Sequence, residues 1–185
     1  LTFIKKISIT SSTASVSFVH GSSSVVFDGT YKEYFLTVNN FHHDQTGTEL
    51  EFQCSTNSGS SYGVTQTNTG IEAYHTQSDS ATTLGYGTFY DFIQSTDYIN
   101  FGATTGGSGS ADDECTSGWL RIFDPANTTY QKHWQLESST ITHSENCVRL
   151  QCSGYFNTTS AVNAINFKCN SGNIIHGDFC LYGIN

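Results

Sequence analysis

The side chains most suited to holding a metal ion occur in two short runs of the sequence. His42, His43 and Asp44 are consecutive, and the acidic residues 112–114 follow a stretch rich in glycine and serine. Consecutive residues of an extended chain point to opposite sides, so the two histidines are poorly placed to share one ion. The acidic run lacks the alternating oxygen ligands and the fixed glycine of an EF-hand loop. We therefore expect neither a metal site nor a bound cofactor.

Carboxylates could also serve as the acid and base of a glycoside hydrolase, because such partners converge in space and need no sequence motif. The sequence has no P-loop and no dinucleotide-binding glycine pattern. We therefore expect a protein that is not an enzyme, with a polysaccharide hydrolase as an alternative that the sequence leaves open. Three carboxylate pairs are eligible for that alternative: Glu49 with Glu51, Asp91 with Asp97, and Glu137 with Glu145.

The residues most suited to binding are aromatic. Five tyrosines lie in the segment 57–114, where the alternation of apolar and polar residues is weakest. Aromatic ring faces stack on sugar rings, while amide and carboxylate groups bond to hydroxyls. The alternative is that these rings fill a small second core beneath long loops. The tyrosines that we expect to contact a receptor or a glycan are Tyr62, Tyr74, Tyr86, Tyr90 and Tyr98.

The rest of the sequence is typical of short β-strands separated by turns. Aromatic residues make up 14% of the 185, proline occurs once, and apolar and polar residues alternate in many short runs. These features predict an all-β fold, an antiparallel, jelly-roll-like β-sandwich of about nine or ten strands. Residues 154–185 predict a closing β-hairpin around the turn residues 170–173. We expect one domain over residues 1–185, which is also compatible with the C-terminal part of a longer chain.

The charge balance of the chain argues against several classes of partner. Lys and Arg number 7 against 16 Asp and Glu, and the formal net charge is −9 with no basic cluster. Nucleic acids and anionic lipid surfaces both require such clusters, and no apolar run approaches the length of a membrane span. We therefore expect no nucleic-acid partner and no membrane insertion. The six cysteines form no CxxC motif, and we expect free thiols.

Six segments of the chain have a distinctive order and spacing: TYKEYFLTVNNFH (30–42), ELEFQCSTNSGSSY (49–62), AYH (73–75), LGYGTFYD (84–91), SGWLRIFDPANTTYQKHW (117–134) and GYFNTTSAVNAINFKCNSGNIIHGDFCLYGI (154–184). Together they resemble a family of short virion structural proteins of tailed phages, chiefly marine ones, of the tail-fibre type. The resemblance covers most of the chain and is densest at the C-terminus. None of the six segments is a catalytic motif.

This resemblance implies a non-enzymatic structural protein on the surface of a phage particle, as a tail fibre, head fibre or decoration subunit. Such a protein would be assembled in the bacterial cytoplasm and would act in assembly, in adhesion to the host surface, or in both. The expected partners are two further copies in a homotrimer, other virion proteins and a host-surface glycan. The alternative is a carbohydrate-binding module or lectin that recognises glycans through its loop aromatics.

Overall fold

A computed structural model of the chain describes residues 1–103 and 107–185. Its regular structure is nearly all β-strand, and within the described residues no helix is long and apolar enough to cross a membrane. The regular elements are β1 (Thr2–Ile9), β2 (Ser15–Val19), β3 (Glu33–His43), β4 (Leu50–Ser55), β5 (Gln66–Thr76), β6 (Thr82–Tyr86), a 3-10 helix (Thr88–Tyr90), β7 (Ile99–Asn100), β8 (Thr116–Phe123), β9 (Lys132–Ile141), β10 (Asn146–Phe156), β11 (Ala164–Cys169) and β12 (Ile174–Ile184).

The strands form two antiparallel sheets around one core, which confirms the predicted all-β sandwich. The large sheet has eight strands in the order β1-β12-β3-β8-β9-β10-β5-β6, and the small sheet has four in the order β2-β11-β4-β7. Without β5, β6, β9 and β10, eight strands remain, and they can be renumbered 1 to 8 in chain order. In these numbers the large sheet has the order 1-8-3-6 and the small sheet the order 2-7-4-5. This is the strand order of a jelly roll, in which most connections cross from one sheet to the other.

Two inserted strand pairs widen the large sheet beyond the jelly roll. β5 and β6 come between β4 and β7 in the chain, and β9 and β10 come between β8 and β11. The described residues thus contain twelve strands, and the expected nine or ten was too few. One reason is that β5 buries Gln66, Asn68 and Glu72, so its pattern of apolar residues is incomplete. Another is that β7 has only two residues.

The last two strands do not form the predicted hairpin. β12 pairs with β1 and β3 in the large sheet, whereas β11 pairs with β2 and β4 in the small sheet. The turn residues 170–173 therefore take the chain across the sandwich, from one sheet to the other. A strand buries one face in either arrangement, so the apolar alternation is the same for both. The prediction of two strands was right and the prediction of their partner was wrong.

Aromatic rings from both sheets meet at the centre of the sandwich. Phe167 of β11 lies opposite Phe52 of β4, and its ring centroid is 5.5 Å from that of Phe179 in β12. The Phe52 ring meets Trp134 of β9 edge to face at 5.3 Å. None of the four side chains is more than 1% exposed. Each fully buried ring contributes roughly 1.5–3 kcal/mol to stability, so this cluster holds the two sheets together.

All six cysteines are free thiols in the structure, and four of them are buried. Burial raises the pKa of Cys152 to about 11 and that of Cys169 to about 12. These thiols are therefore protonated at neutral pH and pack as small apolar side chains.

Gly154 of β10 provides a test of how closely this sandwich is packed. β10 pairs with β9 and β5 without interruption at this position. A Cβ there would lie 2.6 Å from the Asn68 Cβ and 2.7 Å from Trp134 Cζ2. We expect Gly154→Ala to lower the free energy of unfolding, measured in urea, by about 1–3 kcal/mol because it overpacks the site.

Gly85→Ala is the matched control for this substitution. Gly85 also lies in a strand, but a Cβ there would meet nothing within 4 Å. We expect the free energy of unfolding to stay unchanged or to rise by about 0.4–1 kcal/mol, because alanine reduces the entropy of the unfolded chain. Equal effects of the two substitutions would contradict close packing at Gly154.

Candidate functional site

Tyr90, one of the five tyrosines expected at a binding surface, is buried. Its side chain is 1% exposed and belongs to the hydrophobic core. The hydroxyl donates towards Glu72 Oε2 at 2.8 Å and Gly102 O at 3.0 Å, and Asn68 Nδ2 donates to the Tyr90 carbonyl at 2.6 Å. The expectation of a surface contact at Tyr90 was therefore wrong. The alternative prediction, a ring that fills a core beneath a loop, is correct for Tyr90.

Tyr62 and Tyr98 lie together on the outer side of the small sheet. Tyr62 Oη donates to Ser17 Oγ at 3.3 Å, and Tyr98 Oη donates to Asn166 Oδ1 at 3.0 Å. Asn166 Nδ2 also donates to Ser17 Oγ at 2.8 Å, so the two hydroxyls belong to one hydrogen-bonded group on β2 and β11. Both tyrosine side chains are half-buried, which leaves part of each ring accessible.

Tyr98 forms one wall of an open cavity of about 660 Å³, which we call the acidic pocket. Glu51 and Lys168 are cross-strand neighbours in this pocket. Lys168 Nζ lies 4.3 Å from the Tyr98 ring centroid and 3.8 Å from Glu51 Oε2. The segment 88–98, which includes Tyr98, supplies six of the lining residues. The lining residues are Glu49, Glu51, Thr88, Phe89, Phe92, Thr96, Asp97, Tyr98, Asn100 and Lys168.

Two carboxylates of the acidic pocket have raised pKa values. Burial, followed by the negative charges of Glu51 and Glu72, raises the pKa of Glu49 to about 7. Burial also raises the pKa of Glu51; there the Lys168 ammonium opposes the shift and the Asp97 carboxylate adds to it. Near neutral pH, Glu49 is therefore present both as the acid and as the carboxylate. The pocket thus offers a carboxyl donor and carboxylate acceptors side by side.

The structure brings together one of the three carboxylate pairs that were eligible for glycoside hydrolysis, Glu49 with Glu51. Asp97 joins them in the acidic pocket. Asp91 instead lines a hollow on the outer face of the large sheet, and Glu137 lies on that same face. The other two pairs are therefore not placed to share one substrate at the acidic pocket.

Tyr74 and Tyr86 lie next to the acidic pocket, on the strand pair β5 and β6. They line a hollow of about 150 Å³ whose lining includes Thr88 and Phe89, and these two residues also line the acidic pocket. Phe89 stands between the two cavities with its side chain 64% exposed. Phe89 was not among the predicted contact residues, all of which are tyrosines. The dense aromatic composition of residues 84–91 was the signal that could have identified it.

The two histidines considered as metal ligands do not share a site. The His43 side chain is buried with Nε2 2.7 Å from Ser108 Oγ, while the His42 ring centroid lies 6.0 Å from that of His176. Across residues 1–103 and 107–185, no three His, Cys, Asp or Glu side chains come together as metal ligands.

Comparison with known proteins assigns no family. No protein-family model matches the chain, and no curated protein sequence matches it. Three solved structures show weak similarity. They are a protein of unknown function from Bacteroides ovatus (TM-score 0.31, 9% identity, 58% of this chain and 45% of that chain), exo-inulinase from Aspergillus awamori (0.35, 11%, 99% and 29%) and alginate lyase vAL-1 from a Chlorella virus (0.22, 9%, 97% and 85%). The chain spans less than half the length of the first two.

The titration of Glu49 provides a test of the acidic pocket. We expect the Glu49 carboxyl to titrate near pH 7 in 13C NMR spectra. Because the folded protein binds this proton more tightly than the unfolded chain, the resulting stability is present below pH 4.5 and is lost as the pH rises through about 7. Between those values, Glu49→Gln should gain stability relative to the wild type with rising pH, as measured by urea unfolding.

Two further variants support this measurement. Glu51→Gln removes a neighbouring negative charge and should lower the pKa of Glu49. Glu145→Gln changes an exposed glutamate between β9 and β10 and is the control for removal of a carboxylate outside the acidic pocket. A Glu49 midpoint below about pH 5, close to that of an unperturbed glutamate, would contradict the burial of this carboxyl.

Proposed function

We propose that the protein is a non-enzymatic structural subunit on the surface of a tailed-phage virion, and that it binds host-surface glycan through the acidic pocket. The resemblance to tail-fibre-type structural proteins supports the first part. The jelly-roll topology is compatible with it, because this topology recurs in viral shell proteins and in lectins. The subunit would be a tail fibre, a head fibre or a decoration protein, in contact with other virion proteins.

The observation that most directly supports glycan binding is the convergence of rings and charged groups in the acidic pocket. Phe89 and Tyr98 offer partly exposed ring surfaces, and apolar faces of sugar rings stack on such surfaces. Glu49, Glu51 and Lys168 supply both donors and acceptors for hydroxyl groups within the same cavity. A ligand that alternates apolar ring faces with hydroxyls fits this combination.

The charge of the chain supports a position on the outside of the particle. A net charge of −9 with only 7 basic residues is unfavourable next to packaged nucleic acid, because phosphate requires basic partners. The same charge favours solubility and a displayed surface. The free thiols are compatible with assembly in the reducing bacterial cytoplasm.

The subunit forms a homotrimer in this proposal, and one of the two edges of the large sheet supports self-association. The edge strand β1 has two lysines and an irregular register, features that prevent strand-to-strand association. The opposite edge strand, β6, has the uncharged sequence TTLGY, with Leu84 75% exposed and Tyr86 56% exposed. An uncharged edge with exposed apolar residues is suited to contact with another copy.

Phe89→Ala is the substitution that tests the glycan site. We expect the purified wild-type protein to compete with phage particles for adsorption to host cells. Phe89→Ala should weaken this competition by about tenfold, because it removes a stacking ring worth on the order of 1 kcal/mol or more. Tyr130→Ala removes a comparably exposed ring, 71% against 64%, away from the acidic pocket and should leave competition unchanged.

Three results would contradict parts of this proposal. Equal competition by the wild type and Phe89→Ala would remove the acidic pocket as the contact site. Release of reducing ends from host polysaccharide, lost in Glu49→Gln, would replace the non-enzymatic subunit by a hydrolase. Binding to host glycan by a protein that is absent from purified particles would leave a lectin or carbohydrate-binding module.

Leu84→Lys tests the proposed trimer. We expect a trimeric mass for the wild type by light scattering, and a monomeric mass for Leu84→Lys because the charge blocks the β6 edge. Ile93→Lys is matched in exposure, 77% against 75%, and should remain trimeric. A monomeric wild type at all concentrations would contradict the trimer. In electron micrographs of intact particles, threefold clusters on the capsid or fibres at the tail would give its position.

A further inference from the structure

The outer face of the large sheet has an aligned row of side chains on the opposite side of the sandwich from the acidic pocket. Trp119 of β8 lies opposite Glu137 of β9, and Glu137 lies opposite Gln151 of β10. Gln151 in turn lies opposite Ile71 of β5, whose side chain is 45% exposed. With strands about 4.8 Å apart, this row of four side chains is about 14 Å long.

A second row runs beside the first and is displaced from it by two residues on each strand. Its members are Arg121, Gln135, Ser153 and Thr69. An open cavity of about 350 Å³ lies above the two rows. It adjoins a hollow of about 560 Å³ that is lined by Phe123, His133 and Tyr155 among others. The two cavities share Thr69, Gln135 and Ser153, and we call them together the sheet groove.

Both arginines of this face are paired with glutamates, and the far end of the groove carries the Asp91 carboxylate. The two arginines of the chain are Arg121 and Arg149, and both lie on this face. Arg121 Nε donates to Glu33 Oε2 at 2.6 Å, and Arg149 Nε donates to Glu137 Oε1 at 2.9 Å. Gln151 Nε2 also donates to Glu137 Oε2 at 3.2 Å, which fixes the orientation of that carboxylate. Because both arginines are already paired, the groove favours an uncharged ligand over an anion.

The aromatic rings of the groove are held in place by neighbouring rings. Trp119 stacks on Phe35 of β3 with ring centroids 5.7 Å apart and an angle of 29° between the planes. Tyr155 lies 6.2 Å from the ring of His133. Trp119 and Tyr155 are both half-buried, so each keeps an accessible part of its ring. A ring that is already positioned loses little entropy when a ligand stacks on it.

We propose that the sheet groove is a second binding site, and that its ligand is a linear, uncharged oligosaccharide. Sugar rings would stack on Trp119 and Tyr155. Their hydroxyls would bond to the amides of Gln135 and Gln151 and to the Glu137 carboxylate. Amide side chains both donate and accept hydrogen bonds, as sugar hydroxyls do. The groove lies across several strands, which suits an extended ligand better than a single sugar.

Another protein chain is a poorer occupant of this groove. A peptide that extends a sheet needs an unpaired strand edge, and β8, β9, β10 and β5 are each paired on both sides. A stable interface between copies requires a predominantly apolar centre, whereas Glu137, Gln151, Gln135 and Ser153 occupy the centre here. The exposed apolar side chains of β6, Leu84 and Tyr86, lie beyond the Ile71 end of this row and not in its middle.

This site does not rest on the virion assignment, and it can be tested apart from the acidic pocket. The probes are neutral hexasaccharides of β-1,4-glucose, β-1,3-glucose, α-1,4-glucose, β-1,4-mannose and β-1,4-xylose, with oligogalacturonate as an anionic probe. Trp119 is half-buried and Trp134 is 1% exposed, so acrylamide quenching and ligand-induced changes in emission report mainly on Trp119. We expect saturable emission changes, and protection from acrylamide quenching, with at least one neutral hexasaccharide and not with oligogalacturonate.

Calorimetry on variants then locates the bound hexasaccharide. Trp119→Ala and Gln151→Ala should each weaken binding by about tenfold or more, since they remove a stacking ring and a hydrogen-bonding amide. Gln77→Ala changes an exposed glutamine in the β5–β6 turn and should bind as the wild type does. Melting temperatures show whether each variant is folded. If Trp119→Ala fails to fold, Gln151→Ala and Gln135→Ala provide the test.

Three outcomes would overturn the second site. The first is no saturable binding of any neutral hexasaccharide to the wild type. The second is preferential binding of oligogalacturonate, which would contradict an uncharged ligand. The third is binding that Phe89→Ala removes and that Trp119→Ala and Gln151→Ala leave intact. That last result would place the sugar in the acidic pocket, so the proposed function would survive while the sheet groove would not.

Discussion

The cross-strand pair of Phe52 and Phe167 determines both the centre of the core and the geometry of the acidic pocket. Both rings point inward from neighbouring strands of the small sheet and are fully buried. Because side chains alternate along a strand, the adjacent pair, Glu51 and Lys168, points outward at the same register. A slip of one residue would bury these charges and expose the rings, and an uncompensated buried charge costs several kcal/mol. The apolar core thus fixes the position of an ion pair on the opposite side of the sheet.

The inserted strands impose a second constraint, since the four-stranded sheet cannot cover an eight-stranded one. The segment 87–98 covers part of the remainder, and Tyr90 is its buried side chain. The inward residues Asn68 and Glu72 of β5 are polar because they bond to this segment. The same segment then presents Phe89 outward. Neighbouring residues of one segment therefore complete the core and line the candidate site, so the site is positioned by packing.

Apolar alternation was sufficient to predict the sandwich, because a strand buries one face whichever strand lies beside it. It did not predict that β11 and β12 lie in different sheets, because turns within a sheet and turns between sheets use the same residue types. Tyr90 and Tyr98 could not be told apart, since the hydrogen-bond partners of Tyr90 come from a strand about twenty residues away. The alignment of Trp119 with Glu137 could not be predicted, because the register between two strands is not visible in the pattern of either strand alone.

The segment 88–98 links the two candidate surfaces at one end of the large sheet. Phe92 lines the acidic pocket, whereas Asp91 lines the far end of the sheet groove. At that same end, Gln94 Nε2 lies 3.4 Å from Tyr155 Oη and 2.8 Å from Thr67 Oγ1. The close-packed core between the sheets deforms little, so it is a poor route for any influence of one surface on the other. The segment 88–98 contacts both surfaces and is tied to β5 by backbone hydrogen bonds, from Asn68 N to Phe92 O and between Gln66 and Ser95, so it is the direct connection between them.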